Sequence, residues 1–165
     1  MITIRLSKVL VSAMLAVFAA IVAYNNVVDY GSNYEFVRHV LSMDTTFPGN
    51  ALMGRAIGNE TVWRAAYALI IATEAATALL LGLGAIAMLA ALRAPAARFN
   101  RAKALAIAGC TLGFALWFFG FMVVAGEYFA MWQSHEWNGQ EAAFRFYTAL
   151  LGVMVFVALR DEDLG

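Results

Sequence analysis

Cysteine, histidine, proline and charge are all scarce in this 165-residue chain, and the scarcity of cysteine and that of charge each exclude something. The single cysteine, Cys110, excludes an intrachain disulfide and any cysteine-based metal cluster. It lies inside an apolar run and reads as a small buried hydrophobe. Only 13 % of residues are charged while 63 % are hydrophobic. An average soluble domain is about a quarter charged and roughly half apolar, so no soluble fold of this size hides so much apolar surface. The net charge of +0 gives no reason to expect a nucleic-acid partner. No hydrolase elbow, dinucleotide fingerprint, P-loop or HExxH is present, so no catalytic residue is assigned.

What the chain does have is four long apolar runs: Leu6 to Val28, Val62 to Leu92, Ala104 to Ala125 and Ala142 to Leu159. A hydrocarbon core about 30 Å thick needs roughly 20 helical residues to cross it. The runs predict an all-α integral membrane protein, one membrane domain over 1–165, with four transmembrane helices in a bundle. The expected spans are 6–28, 62–92, 104–132 and 142–160. The first run also has the flavour of a secretory signal, with Arg5 and Lys8 ahead of it. It is too long for a signal core, and Ile21-Val22-Ala23 is a poor cleavage site, so it reads as a retained helix.

Placement of the basic residues orients the spans. Arg5, Lys8, Arg93, Arg98, Arg101, Lys103 and Arg160 fall on one side, and Arg38, Arg55, Arg64 and Arg145 on the other. Basic residues in short loops stay cytoplasmic, which predicts cytoplasmic N and C termini and a cytoplasmic basic loop at 93–103, where Pro95 helps end the second span. The segments 29–61 and 133–141 then face outward. Trp63, Tyr67, Tyr128, Trp132 and Trp137 suit an outer aromatic belt. Ser32-Asn33-Tyr34-Glu35 has the capping-box pattern, predicting a short amphipathic helix over 33–42. A second short helix near 50–57 would complete an outer cap. Asn138-Gly139-Gln140-Glu141 reads as the start of the fourth helix.

Within the membrane Glu74 stands between Thr73 and Thr77, the one ionisable residue expected at depth. An ionised carboxylate at a helix centre costs about 2.5 to 3.5 kcal/mol on translocon scales, so Glu74 must be protonated, paired or wetted. It reads either as a proton- or ligand-binding site together with Thr73 and Thr77, or as a neutral acid hydrogen-bonded to a neighbouring helix. At 100° per residue, Gly109, Gly113, Gly120 and Glu127 share one face within about 40°. Gly109 and Gly113 have the small-xxx-small spacing of a helix interface. Glu127 would extend that face to the cap, with Arg64, Arg145 or Arg38 to neutralise it. His39 and His135, with Asp44, Glu127 and Glu136, are the material for an outer metal or haem site, but they lack motif spacing, and cap hydrogen bonding accounts for them more simply. Asn25, Asp29, His39, Asp44, Trp132 and Trp137 are the candidates for fixing an outer docking cap.

Two stretches carry a family resemblance. Asn25-Asn26-Val27-Val28-Asp29-Tyr30 through Phe36-Val37-Arg38-His39-Val40-Leu41-Ser42-Met43-Asp44-Thr45-Thr46-Phe47-Pro48 is the first. Gly126-Glu127-Tyr128-Phe129-Ala130-Met131-Trp132-Gln133-Ser134, with Trp137-Asn138-Gly139-Gln140-Glu141 and Phe144-Arg145-Phe146, is the second. Together they resemble an uncharacterised family of predicted small bacterial integral membrane proteins, domain of unknown function 2165. The resemblance implies a four-helix protein of the bacterial inner membrane and brings no activity or catalytic residue with it.

The expectation for function is an accessory or assembly subunit of a larger membrane complex, respiratory or otherwise energy-transducing, with lipids and other membrane subunits as partners. A small proton-coupled transporter or channel using Glu74 is the alternative. A quinone- or haem-binding redox subunit is a third. No cofactor is required by the sequence, and a bound lipid or quinone is compatible with it.

Overall fold

The computed structural model of the protein describes residues 2–163, which contain helices and no strand. Helix α1 is Ile2–Val28, α2 is Tyr30–Ser42, α3 is Glu60–Ala90, α4 is Ala96–Ala102, α5 is Ala104–Phe114 and α6 is Gln140–Ala158. Past Phe114 the third span continues as a π-helix over Ala115–Tyr128. Single 3-10 turns occupy Met53–Arg55 and Met131–Gln133. Four helical stretches are long and apolar enough to cross a membrane: Ile2–Val28, Glu60–Ala90, Ala96–Tyr128 and Gln140–Ala158.

Local chemistry sets the breaks. Asn59 opens α3, its Oδ1 accepting from the amides of Thr61 at 2.8 Å and Val62 at 3.4 Å, which satisfies donors that the first helical turn leaves free. Pro95 stops the chain from continuing α3 and serves as the residue ahead of α4. The segment 93–103, expected as a plain loop, therefore holds a helix. The expected capping box does not form. Only Asp29 separates α1 from α2, so Ser32 is already inside a helix and its hydroxyl donates to Asp29 Oδ2 at 2.8 Å. The free amides lie three residues earlier than the pattern suggested.

Between membrane helices the hydrophobic effect is weak, and close approach depends on small residues. A Cβ on Gly84 would collide with the backbone of Ala106, so α3 and α5 meet there backbone to backbone. A Cβ on Gly109 would lie 2.9 Å from Leu81 N, and one on Gly113 would lie 2.9 Å from Leu150 Cδ1 and 3.0 Å from Thr77 Cγ2. Gly109 and Gly113 thus form the inner seam that holds α5 against α3 and α6. Gly120 and Glu127 leave that face. Gly120 has only its own helix's Leu116 nearby, and Glu127 is exposed. The i→i+5 bonding of the π-helix puts more residues in each turn than the 3.6 of an α-helix, so a projection at 100° per residue loses register beyond Ala115.

The two ends of the bundle are closed differently. At the end carrying both termini, Val9, Ala85, Met88, Phe99, Ala106 and Val157 pack into one cluster. At the far end Val40, Met43, Phe129, Ala130 and Met131 form another. Trp63 Nε1 donates to Ile57 O at 2.7 Å and Ile57 N to Leu41 O at 2.8 Å, drawing segment 43–59 over α2.

Candidate functional site

Glu74 is the centre of a buried polar arrangement midway along the spans. Its side chain is 2 % exposed, and Asn26 of α1 donates to its Oε2 at 2.7 Å. The Oδ1 of Asn26 accepts from Asn33 of α2 at 2.7 Å, and its backbone carbonyl accepts from the Tyr67 hydroxyl at 3.0 Å. Three helices therefore converge on one asparagine, which is fixed in the orientation that presents its amide to Glu74. The chain Asn33–Asn26–Glu74 leaves Oε1 without a donor from the protein.

That carboxylate borders a partly open cavity of about 320 Å³ lined by α1, α2, α3, the π-helix and the start of α6. Its polar lining is Asn25, Asn26, Asn33, Tyr67 and Glu74; Phe36, Trp117, Phe121 and Phe146 supply aromatic walls. No Lys, Arg or His lines it. Beside it runs a groove of about 400 Å³, almost wholly apolar, between α3 and the π-helix. Phe36, Val37, Ile70 and Phe121 border both spaces. The rings of Phe36 and Phe121 stack at 6.1 Å and 20°, so this pair is the partition between cavity and groove. Gly139 makes room for it: a Cβ there would lie 2.9 Å from the Phe36 ring.

Thr73 and Thr77 do not extend this polar site. The Thr73 hydroxyl donates back to Leu69 O at 2.7 Å and the residue borders the groove. Thr77 is fully buried with its Oγ1 unpartnered. Toward the termini from Glu74 come Leu81, Ala85 and Met88, all buried in apolar packing. The cavity is blind on that side.

The far-end candidates serve mainly one another. Arg38 has donors only, so the 2.8 Å contact of its NH2 makes His39 Nε2 the acceptor, and Nδ1–H then donates to Asp44 Oδ1 at 2.8 Å. The His39 ring stacks on Trp137 at 4.6 Å and 17°. Both nitrogens are engaged, so His39 has no lone pair to offer a metal or haem. His135 is exposed, and no group of three His, Cys, Asp or Glu side chains suited to a metal ion occurs among the described residues. Glu127 meets none of its expected partners: Arg64 pairs with Glu60, Arg145 with Glu141, and Arg38 with Glu35 and Asp44. Asn25 borders the cavity, Asp29 accepts from Ser32, and Trp132 is exposed with its ring at 90° to Phe47. Tyr67, expected in an aromatic belt, is 1 % exposed because its hydroxyl is needed at Asn26.

A second polar cluster closes the end of the bundle to which the sequence assigned seven basic residues. Arg5 is fully buried and donates to Leu92 O at 3.1 Å, Ala94 O at 2.7 Å and Glu162 O at 2.6 Å. Lys8 donates to Leu159 O at 2.6 Å and pairs with Asp161 Oδ2 at 2.7 Å. Lys103 pairs with the same oxygen and donates to Asn100 Oδ1 at 2.6 Å. Burial by itself would raise the Asp161 carboxyl, but the bonded ammonium groups of Lys103 and Lys8 hold it below the ordinary carboxylate range.

The sequence held one signal for the cavity that periodicity exposes. The buried positions of α1 include Ser12, Ala16, Ala19, Ala23 and Asn26, a repeat of threes and fours that places Asn26, not Asn25, on the inner stripe. Nothing in sequence links Asp161 to Lys8 and Lys103.

The model of a family described as predicted small integral membrane protein (DUF2165) matches residues 4–160. No curated protein and no solved structure matches the chain.

Proposed function

The chain belongs to this family of predicted small integral membrane proteins, and from that premise we propose that it is a non-catalytic accessory subunit of a larger complex in the bacterial inner membrane. The host is a respiratory or other energy-transducing complex, and both termini are cytoplasmic, as the seven basic residues on their side argue. The observation that carries the reading is on α6, the least buried of the four spans. Its outward face presents Thr148, Ala149 and Gly152, all exposed, and a Cβ on Gly152 would meet nothing within 4 Å. A glycine in mid-helix costs about 0.5–1 kcal/mol relative to alanine. Within this bundle it packs against nothing, while a second helix approaching from outside would use the space.

The blind cavity argues in the same direction. A proton-coupled transporter or channel needs a route past Leu81 and Met88, which are fully buried in apolar packing. The test is recovery from native membranes in mild detergent, with mass spectrometry of whatever co-purifies in constant ratio. A known membrane enzyme recovered with the wild type and lost with Gly152→Leu is the expected result. Recovery of the chain alone, or undiminished recovery with Gly152→Leu, overturns the reading.

A further inference from the structure

We propose that the Glu74 cavity binds the head of an amphiphilic organic monocation, an ammonium group carrying one hydrocarbon chain, and that the chain lies in the adjoining apolar groove. This reading is independent of the accessory role. The argument begins with an imbalance. Glu74 brings a carboxylate into the spans, Asn26 satisfies one oxygen, and no cationic side chain borders the cavity to satisfy the other. For the ionised acid the balancing positive charge has to come from outside the chain, and a neutral, protonated Glu74 is the outcome the experiment below distinguishes from it.

The walls favour an organic cation over an inorganic one. Phe36, Trp117, Phe121, Phe146 and Tyr67 line the same cavity as the acid, and a desolvated cation gains from ring faces as well as from the carboxylate. A small hard cation would demand several oxygen ligands in place of its water, and the cavity offers few. A zwitterionic lipid head is disfavoured because its phosphate would find no Lys or Arg. The neighbouring groove fits the rest of the molecule. It is lined almost entirely by carbon, and Phe36, Val37, Ile70 and Phe121 border both it and the cavity, with the Phe36 and Phe121 rings stacked between the two. The two spaces thus adjoin along a shared wall, one with a carboxylate in its lining and the other apolar.

The experiment uses the full-length protein in nanodiscs of uncharged lipid, titrated with hexyltrimethylammonium and, separately, with hexanol. Heat and tryptophan emission are read, since Trp117 lines the cavity. Saturable binding of the cation is expected, about tenfold or more weaker in Glu74→Gln, with hexanol binding indifferent to that change. Phe146→Leu, which keeps the wall apolar but removes a ring, is expected to weaken the cation several-fold; it serves as the independent arm if Glu74→Gln fails to fold. Folding is checked by protection of Cys110 from maleimide. No saturable binding above that of empty nanodiscs overturns the proposal, as does equal binding by folded Glu74→Gln or undiminished binding by Phe146→Leu. A preference for hexanol that is lost in Glu74→Gln would instead identify Glu74 as a protonated donor.

Discussion

Removing the Asp161 carboxylate tests how far the terminal-end cluster holds the bundle together. The Lys8 and Lys103 side chains are 1 % and 3 % exposed, and both point at Asp161, itself 6 % exposed. Asp161→Ala would leave two buried ammonium groups facing each other with backbone carbonyls and Asn100 as their remaining acceptors. Breaking a buried pair by deleting one partner costs about 3–5 kcal/mol. At about 1.4 kcal/mol per tenfold, that raises the unfolded population roughly a hundred- to several-thousand-fold. Cys110 supplies the assay, being the only cysteine and 1 % exposed. Where the bundle recloses faster than the reagent reacts, its labelling by a membrane-permeant maleimide tracks the open population. Glu162→Ala is the control, because only the backbone oxygen of Glu162 is used by Arg5; it should stay within about 0.5 kcal/mol of wild type. The expected result is fast labelling in Asp161→Ala, partial recovery in the Asp161→Ala/Lys103→Met double variant, and no change in Glu162→Ala. Labelling of Asp161→Ala within threefold of wild type would refute the reasoning. The pH dependence has a definite sign. A carboxyl whose folded pKa lies below its unfolded value, about 3.9, contributes stability above that value and loses it as pH falls through the lower, folded one. Wild-type melts should weaken below about pH 4, and Asp161→Asn should lack that step.

Gly84→Ala should destabilise by about 1–3 kcal/mol through overpacking against the Ala106 backbone, whereas Gly152→Ala should leave the isolated bundle as stable or up to about 1 kcal/mol more so; equal Cys110 labelling in the two variants would contradict the seam. Asn26→Ala removes two interhelical hydrogen bonds, to Glu74 and from Asn33, and at an average of about 0.6 and a maximum of about 1.7 kcal/mol each it should cost about 1 to 3 kcal/mol and loosen α2 through Asn33, seen as faster amide exchange there. Asp44→Ala should cost no more than about 1 kcal/mol, because the pair with His39 is 41 % exposed on the Asp44 side, yet it should shift tryptophan emission by releasing the His39 ring from Trp137. Unchanged emission would mean the stacking does not depend on that carboxylate.

Several features were legible residue by residue. Helix α3 ends ahead of Pro95 as proline chemistry requires, while its start at Glu60, capped by Asn59, lies two residues before the expected Val62; Glu74 stood out because one acid in an apolar run has few explanations. Other expectations failed for identifiable reasons. The face drawn through Gly109, Gly113, Gly120 and Glu127 assumed a single helical period, and the π-helix changes the period after Ala115. Ser32 matched a capping pattern whose amides were already inside a helix. Arg5, Lys8 and Lys103 were grouped at one end of the bundle, but their burial was not legible, because hydropathy counts a lysine identically whether it faces water or a carboxylate.

What the sequence determined by itself is whatever depends on a residue's immediate neighbours: four spans, their breaks, and the asymmetry of basic charge. These follow from transfer free energies and backbone propensities, which are nearly local sums. The tertiary structure alone decided which residues separated along the chain would meet. Asn26 and Glu74, Asp161 and its two lysines, and Phe36 and Phe121 are paired across helices whose rotation is set by packing at Gly84, Gly109 and Gly113. A periodicity can say which face of a helix is buried, but the angle at which two buried faces come together is fixed only when their side chains interdigitate.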